Sequence, residues 1–373
     1  MTEDRGNDGQ SEAWLRRLSL RAFRNYAVLD LELDPGLTLI VGPNGHGKTN
    51  LVEAVYVLCL GRSFREHRDS RLIRFGDPAA RLAGAARWTG REHRVELTWE
   101  RGGTKQAEVD GARLERLSEL LGQLPVVSLT PEDGEIAQGG PDGRRRFMDI
   151  LLSQTDRHYL EALKRYRRAL SQRNASLREG REELARVYEP ELARAGAFIQ
   201  GQRECLARFL GRRASETYRQ VSGDGEELGI AYRPHPNRER EEYEETLAGV
   251  LAETLDRDLD QGYTGTGPHR DDLHLEVGGR PLKTYGSHGQ ARTALAALKL
   301  AEVGYYAESY DRQPLLVMDE AAAVLDRSRA DNLIRLLARG SSQVFVTSPG
   351  LEDLGPVAER ADRIIEVFEG TVA

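Results

Sequence analysis

The stretch VGPNGHGKTN, Val41 to Asn50, reads G-x-x-x-x-G-K-S/T from Gly42 to Thr49. An apolar run, Leu37 to Val41, leads into it, and an apolar helical pattern opens at Leu51. Strand, glycine loop and helix in that order are the setting a phosphate-binding loop needs. Gly42, Gly45 and Gly47 admit backbone angles closed to other residues, so successive N–H groups can turn toward phosphate oxygens. The following helix adds the positive end of its dipole. Pro43, Asn44, His46 and Asn50 complete the expected nucleotide-binding set, His46 by filling its place in the loop. Lys48 is expected on the β- and γ-phosphates as a catalytic point charge, and the Thr49 hydroxyl on Mg²⁺. The expected fold is therefore α/β around a site for ATP and Mg²⁺.

The other half of such a site has to return to the same sheet from far along the chain. In PLLVMDE, Pro314 to Glu320, the residues Leu315, Leu316, Val317 and Met318 are apolar on both faces, as in a parallel strand covered on two sides. Asp319 would emerge at its C-terminal end to join the Mg²⁺ shell, and Glu320 is placed to orient or deprotonate the attacking water. Upstream, Ser287-His288-Gly289-Gln290 stands immediately before a helical pattern that begins near Ala291. Ser287, Gly289 and Gln290 at a helix N-terminus make a candidate anion site.

Around these motifs the chain divides. Trp14 to Leu20 and Val28 to Leu33 read as strands joined through the FRNY turn, Phe23 to Tyr26. Arg81 to Leu114 reads as antiparallel strands with Thr-Gly and Gly-Gly turns, and Val126 to Leu129 as a buried strand. From about Gly143 to Gly211, Leu and Ala recur among charged residues at helical intervals. Gly180, Pro190 and Gly201 fall in this region and no apolar heptad is sustained, which argues against a long coiled coil. The expected organisation is a structureless tail over residues 1–12, a discontinuous ATPase domain over 13–130 and 262–373 that includes an antiparallel β subdomain, and a mainly helical insertion over 131–261.

A length of 373 residues with 39% hydrophobic content suits about two domains of ~100 to 200 residues each. Lysine and arginine number 53 against 60 acids, a formal charge of −7, so any DNA contact has to come from local basic patches. The two cysteines, Cys59 and Cys205, show no disulfide or metal spacing, which fits a reduced cytoplasmic protein. The acidic N-terminus lacks an apolar signal core and no apolar run approaches the ~18 residues of a span, so no membrane role is expected.

The glycine loop, the Ser287–Gln290 tetrapeptide and the carboxylate strand, in this order, resemble the ABC-type ATPases, in which the signature serine of one protomer completes the nucleotide site of another. That resemblance implies an ATP-dependent homodimer, a Q-loop contact of Gln138 in IAQGG with metal and attacking water, and a D-loop role for Asp326. After the strand Val344 to Val346, where ABC transporters place a histidine, this chain has Thr347 and Ser348. The departure weighs against a transporter ATPase subunit; a P-loop kinase, in which Ser287 to Gln290 would be incidental, is the second alternative.

Several stretches resemble one family more narrowly. LRAFRNYAVLDLELDPGLTLIVGPNGHGKTNLVEAVYVL, GRSFR at 61–65, TPEDGEIAQGGPDGRRRFMD at 130–149 and TGPHRDD at 266–272 are similar to the bacterial RecF recombination-repair family. The resemblance covers about Leu15 to Val367 and is weakest in the helical insertion. It implies an ABC-type ATPase head related to the SMC ATPases without their long coiled coil, and ATP-dependent binding of double-stranded and gapped DNA. It also implies RecR and RecO as partners and RecA, indirectly, at gaps coated by single-strand-binding protein. Hydrolysis would be weak, DNA-stimulated and a release switch.

DNA contacts are sought in the basic stretch holding Arg144, Arg145, Arg146, Arg157, Lys164, Arg165, Arg167, Arg168 and Arg173. Lys164, Arg165 and Arg168 share a helical face by their spacing and are candidates to track phosphates, with sequence-independent, salt-sensitive affinity. Arg62 and Arg65 are further DNA candidates, equally suited to phosphate or domain contacts. Arg24 is open between a phosphate contact and a structural turn. His269 has no second ligand at suitable spacing and is expected to support its turn rather than a metal.

Overall fold

The computed structural model describes residues 11–88, 90–222, 225–237, 243–320 and 343–372. The chain forms two compact units, Met1–Gly134 with Leu295–Ala373, and Glu135–Ala294. The first unit opens with β1 (Ser11–Glu12), β2 (Trp14–Phe23), β3 (Tyr26–Glu32) and β4 (Gly36–Val41), followed by α1 (Lys48–Leu60). Then come β5 (Ala79–Trp88), β6 (Arg91–Glu100), β7 (Gln106–Val109), β8 (Ala112–Arg113) and β9 (Val126–Leu129). Strands β3-β2-β5-β6-β7-β8 form an antiparallel sheet. Alternation puts Leu18 and Leu20 of β2, Leu82 of β5 and Leu97 of β6 in the core while Arg17, Arg81 and Arg94 face outward. Helix α1 packs so closely on this sheet that a Cβ on Gly84 would come 2.4 Å from Leu58 Cδ2.

The second unit runs from α2 (Gly134–Gln138) through α3 (Pro141–Thr155), α4 (Arg157–Arg178), α5 (Glu182–Val187) and α6 (Glu189–Ser222). It continues with β10 (Leu228–Arg233), α7 (Tyr243–Glu253), α8 (Leu255–Gln261), β11 (Asp272–Val277), β12 (Arg280–Pro281) and α9 (Leu282–Tyr285). Helix α10 (His288–Tyr310) begins in this unit and ends in the first. The Asp156 side chain caps α4 by accepting from His158 N at 2.7 Å. Pro190 does not break α6, because it sits in the first turn, where an amide hydrogen has no helical partner to lose. Gly196 allows α6 to approach its neighbours: a Cβ there would meet Leu247 at 3.0 Å, Pro268 at 3.2 Å and Tyr166 at 3.3 Å.

Buried ion pairs hold this unit together. Arg173 is fully buried and donates to Asp258 at 2.7 Å, Thr264 at 2.8 Å and Glu189 at 3.1 Å. Arg203 donates to Asp149 at 2.8 Å and Asp271 at 3.1 Å, and Arg144 forks onto Asp272 at 2.7 and 2.9 Å. Strand β11 pairs with β10 from Leu228↔Val277 to Arg233↔Asp272. Residues 262–294, expected with the ATPase domain, therefore belong to the second unit, because Asp271 and Asp272 neutralise its buried arginines.

The chain returns to the first unit through β13 (Arg312–Gln313), β14 (Leu315–Met318), β15 (Gln343–Ser348), β16 (Arg363–Phe368) and β17 (Thr371–Val372). Ser11 and Glu12, expected in the tail, pair in parallel with Arg312 and Gln313. A second sheet has the order β17-β16-β4-β15-β14-β9, parallel except for β17 at its edge. Helix α1 contacts both sheets, which explains why its buried residues include Leu51, Val52, Val55, Leu58 and Glu53 rather than a single apolar stripe. The sheet order places β15 between the glycine-loop strand β4 and the carboxylate strand β14.

Candidate nucleotide-binding site

The loop between β4 and α1 is held by close backbone contacts. Gly42 has φ +147° and a Cβ on it would come 2.2 Å from Val367 O; Gly47 has φ +121°, and its Cβ would come 2.6 Å from Asn25 Nδ2. Both the left-handed backbone and the space therefore require glycine. The FRNY turn braces the loop: Asn25 Nδ2 donates to His46 O at 2.9 Å and Tyr26 OH to Gly47 O at 3.0 Å. The β16–β17 turn braces it from elsewhere, with Gly370 N donating to His46 O at 3.0 Å and Glu369 N to His46 Nδ1 at 3.2 Å. His46 also lies against Phe368, ring centroids 4.6 Å apart.

Lys48 Nζ donates to Gly42 O at 2.6 Å, Pro43 O at 2.9 Å and Asn44 Oδ1 at 3.4 Å. The ammonium thus closes its own loop on carbonyl dipoles, contacts that phosphate oxygens can take over. Burial lowers its pKa, and the nearby Asp319 and Glu320 carboxylates oppose that shift.

Asp319 leaves the end of β14 with its N–H donating to Leu129 O at 2.9 Å. Its Oδ1 accepts from Thr49 Oγ1 at 3.0 Å and from Thr347 Oγ1 at 2.7 Å. Thr347, at the end of the intervening strand β15, in turn accepts from Glu320 N at 2.8 Å. Burial raises the Asp319 pKa; the two threonine hydrogen bonds counter it, and the Glu320 charge adds to it. A hydroxyl and a carboxylate on hard oxygens fit Mg²⁺, which takes one or two protein ligands and completes its shell with phosphate and water. Glu320 is exposed and turns at φ +51°, a left-handed conformation uncommon outside glycine, so the chain leaves the strand line at this residue.

Beneath the loop, Glu53 of α1 has no exposed side-chain surface. It accepts from Arg24 Nη2 at 2.7 Å and Nε at 2.8 Å, from Arg65 Nη2 at 2.9 Å, and from Ser63 Oγ at 2.5 Å. Burial alone would raise its pKa; the hydrogen bonds from Arg24 and Arg65 outweigh that and hold it below the ordinary 4.5. Arg24 is therefore committed to the turn. Arg65, which also bonds Asn50, is tied to the loop's supporting layer, and Arg62 is half-buried nearby in sequence.

The remaining candidates are placed as follows. Ser287, His288 and Gly289 are exposed at the start of α10, and Gln138 is exposed at the end of α2. Asp326 lies outside the described residues. Lys164 pairs with Glu161 at 2.8 Å and Arg165 with Glu191 at 3.0 Å, whereas Arg168 is exposed. Of the wider basic stretch, Arg144 and Arg173 are buried structural cations and not a phosphate-tracking face. His269 supports its turn: Nε2 donates to Thr264 O at 2.9 Å, so Nδ1 accepts from Tyr166 OH at 2.6 Å. Sequence reading missed Asn25, Glu53 and the function of Thr347. The FRNY and GRSFR strings pointed to the first two without identifying the acid between them.

The profile described as RecF/RecN/SMC N terminal domain matches residues 14–371. The chain is 33% identical over 358 residues to the DNA replication and repair protein RecF of Trichlorobacter lovleyi, covering 96% of this chain and 97% of that protein. Among solved structures, the recombination mediator protein RecF with ATP, described in the RecFOR pathway, superposes with a TM-score of 0.90 at 31% identity, covering 98% and 99% of the two chains. An Smc head domain from Pyrococcus furiosus shares the fold, with a TM-score of 0.58 at 19% identity over 96% and 95%.

Proposed function

Because the chain belongs to the RecF family of SMC-like, ATP-binding DNA replication and repair proteins, we propose that it is an ATP-operated clamp on DNA in recombinational repair. The observation that carries this reading is the Thr49–Asp319–Thr347–Glu320 chain of hydrogen bonds, which gathers three segments of sequence at one phosphate loop. In this reading Lys48 exchanges the Gly42 and Pro43 carbonyls for β- and γ-phosphate oxygens. Mg²⁺ on Thr49 and Asp319 supplies charge neutralisation at those oxygens. Glu320 takes a proton from water as the water oxygen bonds to the γ-phosphorus and the bond to the ADP leaving oxygen breaks.

Gln138 and Asp326 carry the Q-loop and D-loop roles that their places in the sequence imply. Ser287 and Gly289, exposed at the helix N-terminus, reach the γ-phosphate held by a second copy, so two nucleotides cement a homodimer. ATP then favours the dimer by its differential affinity, and hydrolysis removes the bridging phosphate and lets it open. Hydrolysis is slow and DNA-stimulated. The dimer holds double-stranded and gapped DNA, works with RecR and RecO, and serves RecA loading in the cytoplasm. Arg168 is the best-placed of the basic candidates, with Lys164, Arg165, Arg62 and Arg65 contributing less because carboxylates or the loop layer already engage most of them.

Sedimentation velocity with ATP and Mg²⁺ tests the clamp. Lys48→Met should lose ATP binding, while Ser287→Arg should bind ATP and stay monomeric. A Ser287→Arg dimer of parental stability would remove the composite site.

A further inference from the structure

The exposed start of α10 is organised by a reciprocal pair of hydrogen bonds. Ser287 N donates to Gln290 Oε1 at 2.8 Å, and Gln290 N donates to Ser287 Oγ at 3.1 Å. This is a capping box, and it has two consequences for anion binding. The Ser287 oxygen spends a lone pair on the helix amide, which turns its hydroxyl hydrogen away from the helix as a donor. The Ser287 N–H is taken up by Gln290, which leaves the first-turn N–H groups of His288 and Gly289 for an anion.

The arrangement depends on which way the Gln290 carboxamide faces. With its NH₂ toward Ser287 N, two donors would oppose each other and the box would open. Gln290 Nε2 instead donates to Glu226 Oε2 at 2.6 Å. A carboxylate only accepts, so Glu226 selects the amide orientation that sends Oε1 to Ser287, and a charged acceptor makes the bond roughly twice as strong as a neutral one. Glu226 comes from the segment before β10, sixty-four residues from Gln290 in sequence. Both residues line a cavity of about 360 Å³ together with Gly278, Arg280 and Tyr285.

We propose that Glu226 is a positioning residue for the signature serine: by fixing the Gln290 amide it keeps the capping box shut and presents the Ser287 hydroxyl to the γ-phosphate held by a second copy. The proposal rests on the reading of Ser287 given above. Glu226 itself touches no phosphate.

The test uses the full-length chain with ATPγS and Mg²⁺. Glu226→Ala should weaken nucleotide-dependent dimerisation about tenfold, in sedimentation equilibrium, while monomer affinity for a fluorescent ATP analogue stays within about twofold. Glu226→Gln, whose carbonyl oxygen can still accept from Gln290, should restore dimerisation to within about threefold of the parent. A parental dimer constant for Glu226→Ala overturns the proposal. So does a Glu226→Gln variant as weak as Glu226→Ala, or an equal loss of monomer nucleotide affinity, which would mark a general structural role. If Ser287→Arg dimerises normally, the composite site itself fails; if Ser287→Arg is monomeric and Glu226→Ala is not impaired, only the role of Glu226 fails.

Discussion

Thr347→Val isolates the contact that joins the two carboxylates. Thr347 is fully buried, and valine keeps its shape, so packing is preserved while both hydrogen bonds vanish. The bond to the Asp319 carboxylate belongs to a class worth roughly 1.5–3 kcal/mol, and the neutral one from Glu320 N to about 1 kcal/mol, so stability in urea should fall by roughly 2.5–4 kcal/mol. Glu320 would lose the anchor of its left-handed turn, and single-turnover ATP hydrolysis should slow at least tenfold, about 1.4 kcal/mol of barrier. Lys48 and the glycine loop do not bond Thr347, so affinity for a fluorescent ATP analogue should stay within about threefold. The Asp319 carboxyl, already raised by burial, loses a bond that lowers it and should rise further. Since Mg²⁺ binds the carboxylate, its half-saturating concentration should increase, and more so as pH falls. Thr347→Ser keeps the hydroxyl and should restore both readouts. A Thr347→Val enzyme with parental hydrolysis and parental Mg²⁺ requirement would refute the reasoning.

Three further outcomes are expected. Burial depresses the His269 pKa to about 4 from 6.5, so the unfolded chain binds the extra proton in this window; the contribution of His269 to stability is full above 6.5 and is lost as pH falls toward about 4. Thermal midpoints across that range should drop less for His269→Gln than for the parent, and identical slopes would count against a neutral buried imidazole. Glu53→Gln leaves two arginines facing a neutral amide and should cost about 3–5 kcal/mol in urea unfolding, with nucleotide affinity falling as the loop's support loosens; a loss below about 1 kcal/mol would show that the arginines find water instead. Arg168→Glu should weaken DNA binding with ATP more than Lys164→Glu, because Glu161 already screens Lys164. Equal salt-dependent effects, read by fluorescence anisotropy, would return both residues to one phosphate-tracking face.

Features carried by adjacent residues were legible without coordinates. The phosphate loop is written in ten consecutive residues because positive φ angles demand glycine locally, and the Ser287–Gln290 tetrapeptide could be read as a helix-start anion site because the hydrogen bonds that shape it span three residues. The apolar character of Leu315 to Met318 announced a doubly covered parallel strand, and the sheet contains one there. What only tertiary structure decided was which partner meets which charge. The basic stretch looked like a DNA face because sequence spacing counts arginines without showing that Asp258 reaches Arg173 or that Asp272 reaches Arg144. Thr347 looked like a missing histidine until the order β4-β15-β14 set its hydroxyl between Asp319 and Glu320. Backbone preference acts over a few residues and leaves a local signature. Electrostatic and hydrogen-bond pairing acts over a few ångströms between segments that can be hundreds of residues apart, so it becomes readable only once the chain has folded.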